Sequence, residues 1–270
     1  MQGRLSSPID NKIQCFPMNR WQDEFKEAAS CNFACIEWIF DTYEKNPIID
    51  NSEITEMRLI SNKFGVKINS VCADYFMEKK IFNESENEIE KNLDVLRKLI
   101  KNCRKTDIRI LEIPLVDSSS ISAPEHENDL MKNLSKILPF AKDNDVAITL
   151  ETDMPPRRFR NFLESFEPST VFANYDTGNS TALGYDVEEE INILSDRIKN
   201  IHIKDRIVHG KTVPLGTGNT KFDLFFSSLK KINFRGDLII QGAREDNFTP
   251  KQTCEKYYKF VKQYVDKYYR

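Results

Sequence analysis

Asn200-Ile-His-Ile-Lys-Asp-Arg206 decides how this chain is read, because a short apolar strand here runs into a histidine and a knot of charge. Three similar strand ends bracket it: Ile148-Thr-Leu-Glu-Thr-Asp153, Phe172-Ala-Asn-Tyr-Asp-Thr-Gly-Asn179 and Asp237-Leu-Ile-Ile-Gln-Gly-Ala-Arg244. Side chains alternate between the two faces of a strand, so Glu151, Asp176, His202 and Gln241 each point inward beside the last residues of their strands. Four such ends, side by side in a closed sheet, make one pocket with metal-binding chemistry. The rest of the chain reads as scaffold for it.

Outward from that anchor, helix and strand alternate. Trp21–Ser30 has helical spacing, and Cys35–Asp41 follows as a buried strand. A helix over Ser52–Phe64 is stopped by Gly65, and Val66–Asp74 is the next strand. Ser85 with Glu88 forms a capping box, opening a helix with Ile89, Leu93, Leu96, Ile100 and Cys103 on one face; its strand is Ile108–Asp117. A helix over Glu125–Asn144 leads into Val146–Asp153, and a short helix near Arg158–Phe166 precedes the Asp176 strand. Asp186 and Glu189 cap a further helix before the His202 strand. A glycine-rich loop from His209 to Gly218, a helix over Phe222–Lys231, the strand Leu238–Gln241 and an aromatic-faced helix over Lys251–Tyr268 complete the chain. Only Met1–Leu5 breaks the rhythm, since almost nothing apolar precedes Gly3 where a barrel would begin with a buried strand. The first strand is shortened, or begins upstream.

Strands separated by helices imply parallel pairing, and eight units of about thirty residues match a (β/α)8 TIM barrel forming a single domain over 1–270. A doubly wound open sheet would carry a glycine-rich first turn such as GxGxxG, and none is present. In a barrel the active site lies at the C-terminal ends of the strands, where the polar residues named above fall.

The formal net charge of −3 and pI near 5.8 argue against a general nucleic-acid or membrane-surface role, because phosphate backbones demand a basic face. The six cysteines show no CxxC pairing, Cys31 and Cys35 are spaced for one helical face, and no signal peptide or long apolar run is evident. They read as reduced core thiols of a cytoplasmic protein. His126 and His209 read as solvated loop residues.

Two carboxylates, an imidazole and an amide oxygen give a ligand set suited to one divalent ion: Mn, Mg, Co or Zn. At this point the sequence resembles the xylose-isomerase-like TIM barrels, which include sugar-phosphate isomerases, ketose 3-epimerases and inosose dehydratases. The carriers are Met1-Gln-Gly-Arg-Leu5, Ile36-Glu-Trp38, Leu150-Glu-Thr-Asp153, Asn174-Tyr-Asp-Thr-Gly-Asn179, His202-Ile-Lys-Asp205 and Pro214-Leu-Gly-Thr-Gly218. In that family a glutamate, an aspartate, a histidine and a second glutamate at the ends of strands five to eight bind one divalent metal, and the glutamates also move protons. The resemblance assigns Glu151, Asp176 and His202 to the first three roles.

Gln241 departs from the pattern, because an amide offers a carbonyl oxygen but cannot act as a base. Two carboxylates around a dication leave a formally neutral site, which binds the metal more weakly and polarises a substrate oxygen more strongly. With Glu151 as base, such a site supports a one-base isomerisation through an enediolate, or the start of an elimination.

Glu37 and Glu112 alternate onto the same inward face and are candidates for sugar hydroxyls, with Asn179 beside them. Asp205 and Lys204 are candidate proton donors, and Asp205 is equally a loop cap. Arg4, Lys204, Arg206, Lys211 and Arg244 cluster at strand ends in an acidic protein, which suggests an anionic substrate group held with the N–H groups of the Gly210–Gly218 loop. The expected function is a metal-dependent isomerase or epimerase of a sugar or sugar phosphate; the alternatives are a lyase dehydrating a keto-polyol and a sugar-binding barrel that has lost catalysis. The aromatic face of the last helix (Tyr257, Phe260, Tyr264, Tyr268) fits barrel packing and a homodimer surface equally.

Overall fold

A computed structural model describes residues 1–9 and 12–269. The first half of the chain forms α1 (Trp21–Ser30), β1 (Cys35–Ile39), α2 (Asn51–Phe64), β2 (Lys67–Cys72), α3 (Tyr75–Glu78), α4 (Glu86–Lys105), β3 (Ile110–Leu115) and α5 (Pro124–Asp143). The second half forms β4 (Ala147–Thr152), α6 (Pro156–Glu164), β5 (Val171–Asp176), α7 (Thr177–Leu183), α8 (Val187–Leu194), β6 (Ile198–Ile203), β7 (Asp205–Arg206), β8 (Thr212–Val213), α9 (Phe222–Lys231), β9 (Ile239–Ile240) and α10 (Pro250–Tyr268).

Seven strands pair in parallel in the order β1-β2-β3-β4-β5-β6-β9, and the helices surround them. The gap between β9 and β1 is where the first strand was expected. There the Met1 carbonyl accepts from the Glu37 N–H at 3.0 Å, the Met1 amine donates to the Cys35 carbonyl at 3.1 Å, and the Gln2 N–H donates to the Ile240 carbonyl at 3.1 Å. Met1 and Gln2 therefore bridge the two neighbouring strands, and the barrel closes around a polar lumen.

Alternation explains that lumen. On β6, Ile201 and Ile203 pack in the apolar layer under the helices, while Asn200 and His202 alternate with them and are fully buried. The same period turns Glu37, Ser70, Glu112, Thr149, Glu151, Asn174 and Asp176 inward, all buried. A lumen of polar side chains is stable only where those groups satisfy one another or wait for a ligand.

Local signals placed most helices. Gly65 ends α2 at φ 67°, a left-handed cap that favours glycine, and the Ser85 hydroxyl accepts from the Glu88 N–H to open α4. Some expectations need correction. Cys31 follows the end of α1 while Cys35 opens β1, so they share no helical face, and His126 lies in the first turn of α5 rather than in a loop. The α10 aromatic face packs on α9, with Phe260 5.0 Å from Phe222 and Tyr264 stacked 5.1 Å from Phe226 between ring centroids. No helix among the described residues is long and apolar enough to cross a membrane.

Candidate active site

β4, β5 and β6 end side by side, and their last inward residues meet. One donor atom each of Glu151, Asp176 and His202 lies within 4.8 Å of the other two, and all three residues are buried. His202 is held at both ring nitrogens: Nε2 is 2.7 Å from Glu37 Oε1, and Nδ1 is 2.9 Å from Glu151 Oε2 and 3.9 Å from Asp176 Oδ2. Glu37 is held in turn by the Ser70 hydroxyl at 2.6 Å and the Asn200 amide at 2.8 Å. Glu151 accepts from Asn174 Nδ2 and Asn179 Nδ2, each at 2.6 Å. Asp176 caps α7, with Oδ1 accepting from the Gly178 and Asn179 N–H groups at 2.8 Å each, and its Oδ2 lies 2.7 Å from Lys204 Nζ.

The charges follow from this geometry. Burial alone would lower His202, but the Glu37 charge and the Glu151 hydrogen bond outweigh it and hold the imidazole well above its ordinary range. Burial pushes Glu37 and Glu151 up, and the His202 charge and hydrogen bond reverse this, so both carboxyls stay low. Glu112 is different: fully buried, with only the Cys72 thiol beside it as a weak partner, it is raised by burial and then by the Glu151 charge. Both causes favour the protonated carboxyl over the carboxylate in the lumen.

The chain therefore brings Glu151, Asp176, His202, Lys204, Glu37 and Asn179 together, but uses several other sequence candidates elsewhere. Asp205 accepts from the N–H groups of Gly216 and Gly218 at 2.9 Å each and of Thr220 at 3.1 Å. It is the loop cap, not a free proton donor, and those N–H groups are turned onto it rather than towards a phosphate. Arg206 braces the β7–β8 turn through the Gly210 carbonyl and donates to Asn179 Oδ1 at 2.9 Å. Lys211 is exposed on that turn.

Arg244 donates to the carbonyls of Ile13, Ser6 and Gly3 at 3.2, 2.7 and 2.8 Å, clamping the N-terminal segment. Arg4, 3% exposed, donates to the Gly242 carbonyl at 2.7 Å and reaches Gln14 Oε1 at 3.3 Å. Both arginines line a cavity of about 470 Å³ with Thr212, Glu245, Phe248 and Thr253. Gln241 donates to Gln2 and Gln14, and its buried carbonyl oxygen has no partner among the described residues.

With the site in view, the comparisons with known proteins converge on one family. The family model described as xylose isomerase-like TIM barrel matches residues 25–263. The chain belongs to that family. Among its relatives is a Haemophilus influenzae protein provisionally named L-ribulose-5-phosphate 3-epimerase, 25% identical over 92% of both chains. Another is an inosose dehydratase from Clostridium tetani, 24% identical over 67% of this chain and 70% of that one. Solved structures with the same fold include a D-allulose 3-epimerase from Methylomonas sp. in complex with D-allulose, at TM-score 0.74 and 16% identity, covering 92% of each chain. The zinc-bound IOLI protein superposes at TM-score 0.74 and 18% identity, covering 90% of this chain and 92% of that one. The epimerase names among relatives and structural neighbours bear out the expectation of an enzyme.

For a divalent cation, this member of the xylose isomerase-like family has a fitting donor set. Glu37 fixes the His202 ring through Nε2 and so presents Nδ1 to Glu151 and Asp176, the carboxylate–histidine arrangement that orients metal-binding imidazoles. The orphaned Gln241 carbonyl oxygen is a neutral oxygen donor of matching hardness.

Sequence reading missed Asn174 and Asn200, although each lies two residues before Asp176 or His202 and shares its inward face by alternation. It also missed Gln14, which binds Asp74 Oδ2 at 2.6 Å across the barrel mouth and has no periodic signal to announce it.

Proposed function

We propose that this protein is a divalent-metal-dependent isomerase or epimerase that moves a proton beside the carbonyl of a ketose or ketose phosphate. The observation that carries the reading is the buried Glu151–Asp176–His202 cluster at the C-terminal ends of adjacent barrel strands. Glu151, Asp176 and His202 would hold the ion, with the Gln241 carbonyl oxygen as the fourth donor. A divalent ion there supplies electrophilic polarisation of a substrate oxygen.

The chain's own residues account for the proton. Glu151 is the base: both oxygens are oriented by the Asn174 and Asn179 amides, and its depressed pKa keeps it ionised at neutral pH. Glu112, neutral in the lumen, offers an O–H to a sugar hydroxyl. The cavity beside Arg4 and Arg244 receives the anionic end of the substrate, in the region after the last two barrel strands, β6 and β9, where barrels hold phosphate.

Gln241 favours a second reading. An amide cannot take the second proton, so two-base epimerisation needs another group, whereas one base suffices to start an elimination with Lys204 as proton donor. The inosose dehydratase relative accords with that lyase chemistry. Solvent deuterium exchange into a panel of ketoses and their phosphates separates the readings. Exchange without loss of water, abolished in Glu151→Gln, is expected; loss of water points to the lyase, and no exchange with any sugar rejects the enzyme for a binding barrel.

A further inference from the structure

Lys204 is built into the site more firmly than a rim lysine needs. Thr177 pins its backbone, the hydroxyl donating to the Lys204 carbonyl at 2.6 Å and accepting from the Lys204 N–H at 2.9 Å. Its stem crosses the first turn of α7 at Gly178, where a Cβ would lie 2.7 Å from Lys204 Cγ and 2.8 Å from Lys204 Cβ. Only glycine leaves that path open. Nζ then ends 2.7 Å from Asp176 Oδ2, and the side chain is 13% exposed. Because Oδ1 is already committed to two N–H groups of α7, Oδ2 is the oxygen left to meet a cation, and the ammonium holds it.

We propose that Lys204 is a resident counter-cation that competes with the divalent ion for Asp176 and so sets the ion's affinity. The inference rests on reading Glu151, Asp176 and His202 as a metal site. A carboxylate as buried as Asp176 needs a positive partner, and removing one member of such a pair is strongly destabilising. Lys204 supplies that partner when no ion is bound. An entering dication must displace the ammonium from Oδ2 or share that oxygen with a like charge, and either costs affinity.

Calorimetric titration of Mn²⁺ into metal-stripped protein tests this. Lys204→Met should bind Mn²⁺ on the order of tenfold more tightly than wild type, as expected when a like charge leaves the site. Gly178→Ala should shift affinity the same way by less, because the new methyl pushes the stem off Asp176. Lys204→Arg, which keeps the charge, should stay near wild type. The ion-free Lys204→Met protein should also melt below wild type and regain that loss with Mn²⁺. Should Lys204→Met fail to fold, Gly178→Ala carries the same sign. Equal or weaker binding in both variants, with binding still abolished by His202→Ala, overturns the inference and leaves the metal site standing. No binding by any form overturns both.

Discussion

His202 works as a ligand candidate because Glu37 stands behind it. With Nε2 tied to Glu37 at 2.7 Å, the ring has one orientation, and Nδ1 faces the two carboxylates whether it carries a proton or meets an ion. Glu37→Gln should therefore weaken metal affinity by roughly 10–100-fold, the usual consequence of losing the group that orients a ligating histidine. The contrast is Ser70→Ala, which leaves the Glu37–His202 contact in place and should change affinity far less. Equal effects of the two substitutions on a Mn²⁺ titration would contradict this role for Glu37. Glu151, Asp176 and His202 were legible in the sequence because strand alternation fixes their face. The role of Glu37 was not, since it depends on a contact 165 residues away in sequence.

Strands were legible as elements because they are runs of β-branched and aliphatic residues buried on both faces, bounded by helix caps. The pieces that escaped reading lie beyond the strand ends. Asn174-Tyr-Asp-Thr-Gly-Asn179 reads as a strand end, yet Asp176 caps α7 there and turns Asn179 back onto Glu151. The β7–β8 hairpin is equally hidden, because Asp205 builds it through contacts with residues 216–220, which no local period reports.

One buried cation holds a whole connection of this kind. Arg197, 2% exposed, donates to the carbonyls of Leu163, Phe166, Pro168 and Val171, tying the α6–β5 connection to the residue before β6. Arg197→Met should cost about 3 kcal/mol, lowering Tm by roughly 6–12 °C for a chain of this size, because buried carbonyls lose their donors. A Tm within 2 °C of wild type, on the order of 1 kcal/mol at most, would contradict it.

At the scale of the molecule, the barrel was read from its repeating rhythm, while its closure was visible only as an anomaly at Met1–Leu5. Met1 and Gln2 bridge β9 and β1 by pairing to both sides, and Arg244 clamps the segment that follows. Stability should also depend on pH through carboxyls outside the site. Burial pushes Glu24 and Glu190 up to about 7 from an ordinary value of 4.5. Between those values the folded protein binds more protons than the unfolded chain, so stability falls as pH rises from about 4.5 through 7. Denaturant unfolding across that range should show the decline, and Glu24→Gln with Glu190→Gln should flatten it. An unchanged slope in the double variant would assign the decline to other groups.

Whether three strand ends of this barrel hold one divalent ion is read most simply from the metal content of the purified protein. Mass spectrometry of wild type and His202→Ala, each incubated with Mn²⁺, Co²⁺ or Zn²⁺ and then desalted, is predicted to find near-stoichiometric ion in the first and almost none in the second. Equal metal in both proteins, or none in either with every ion, would contradict the account.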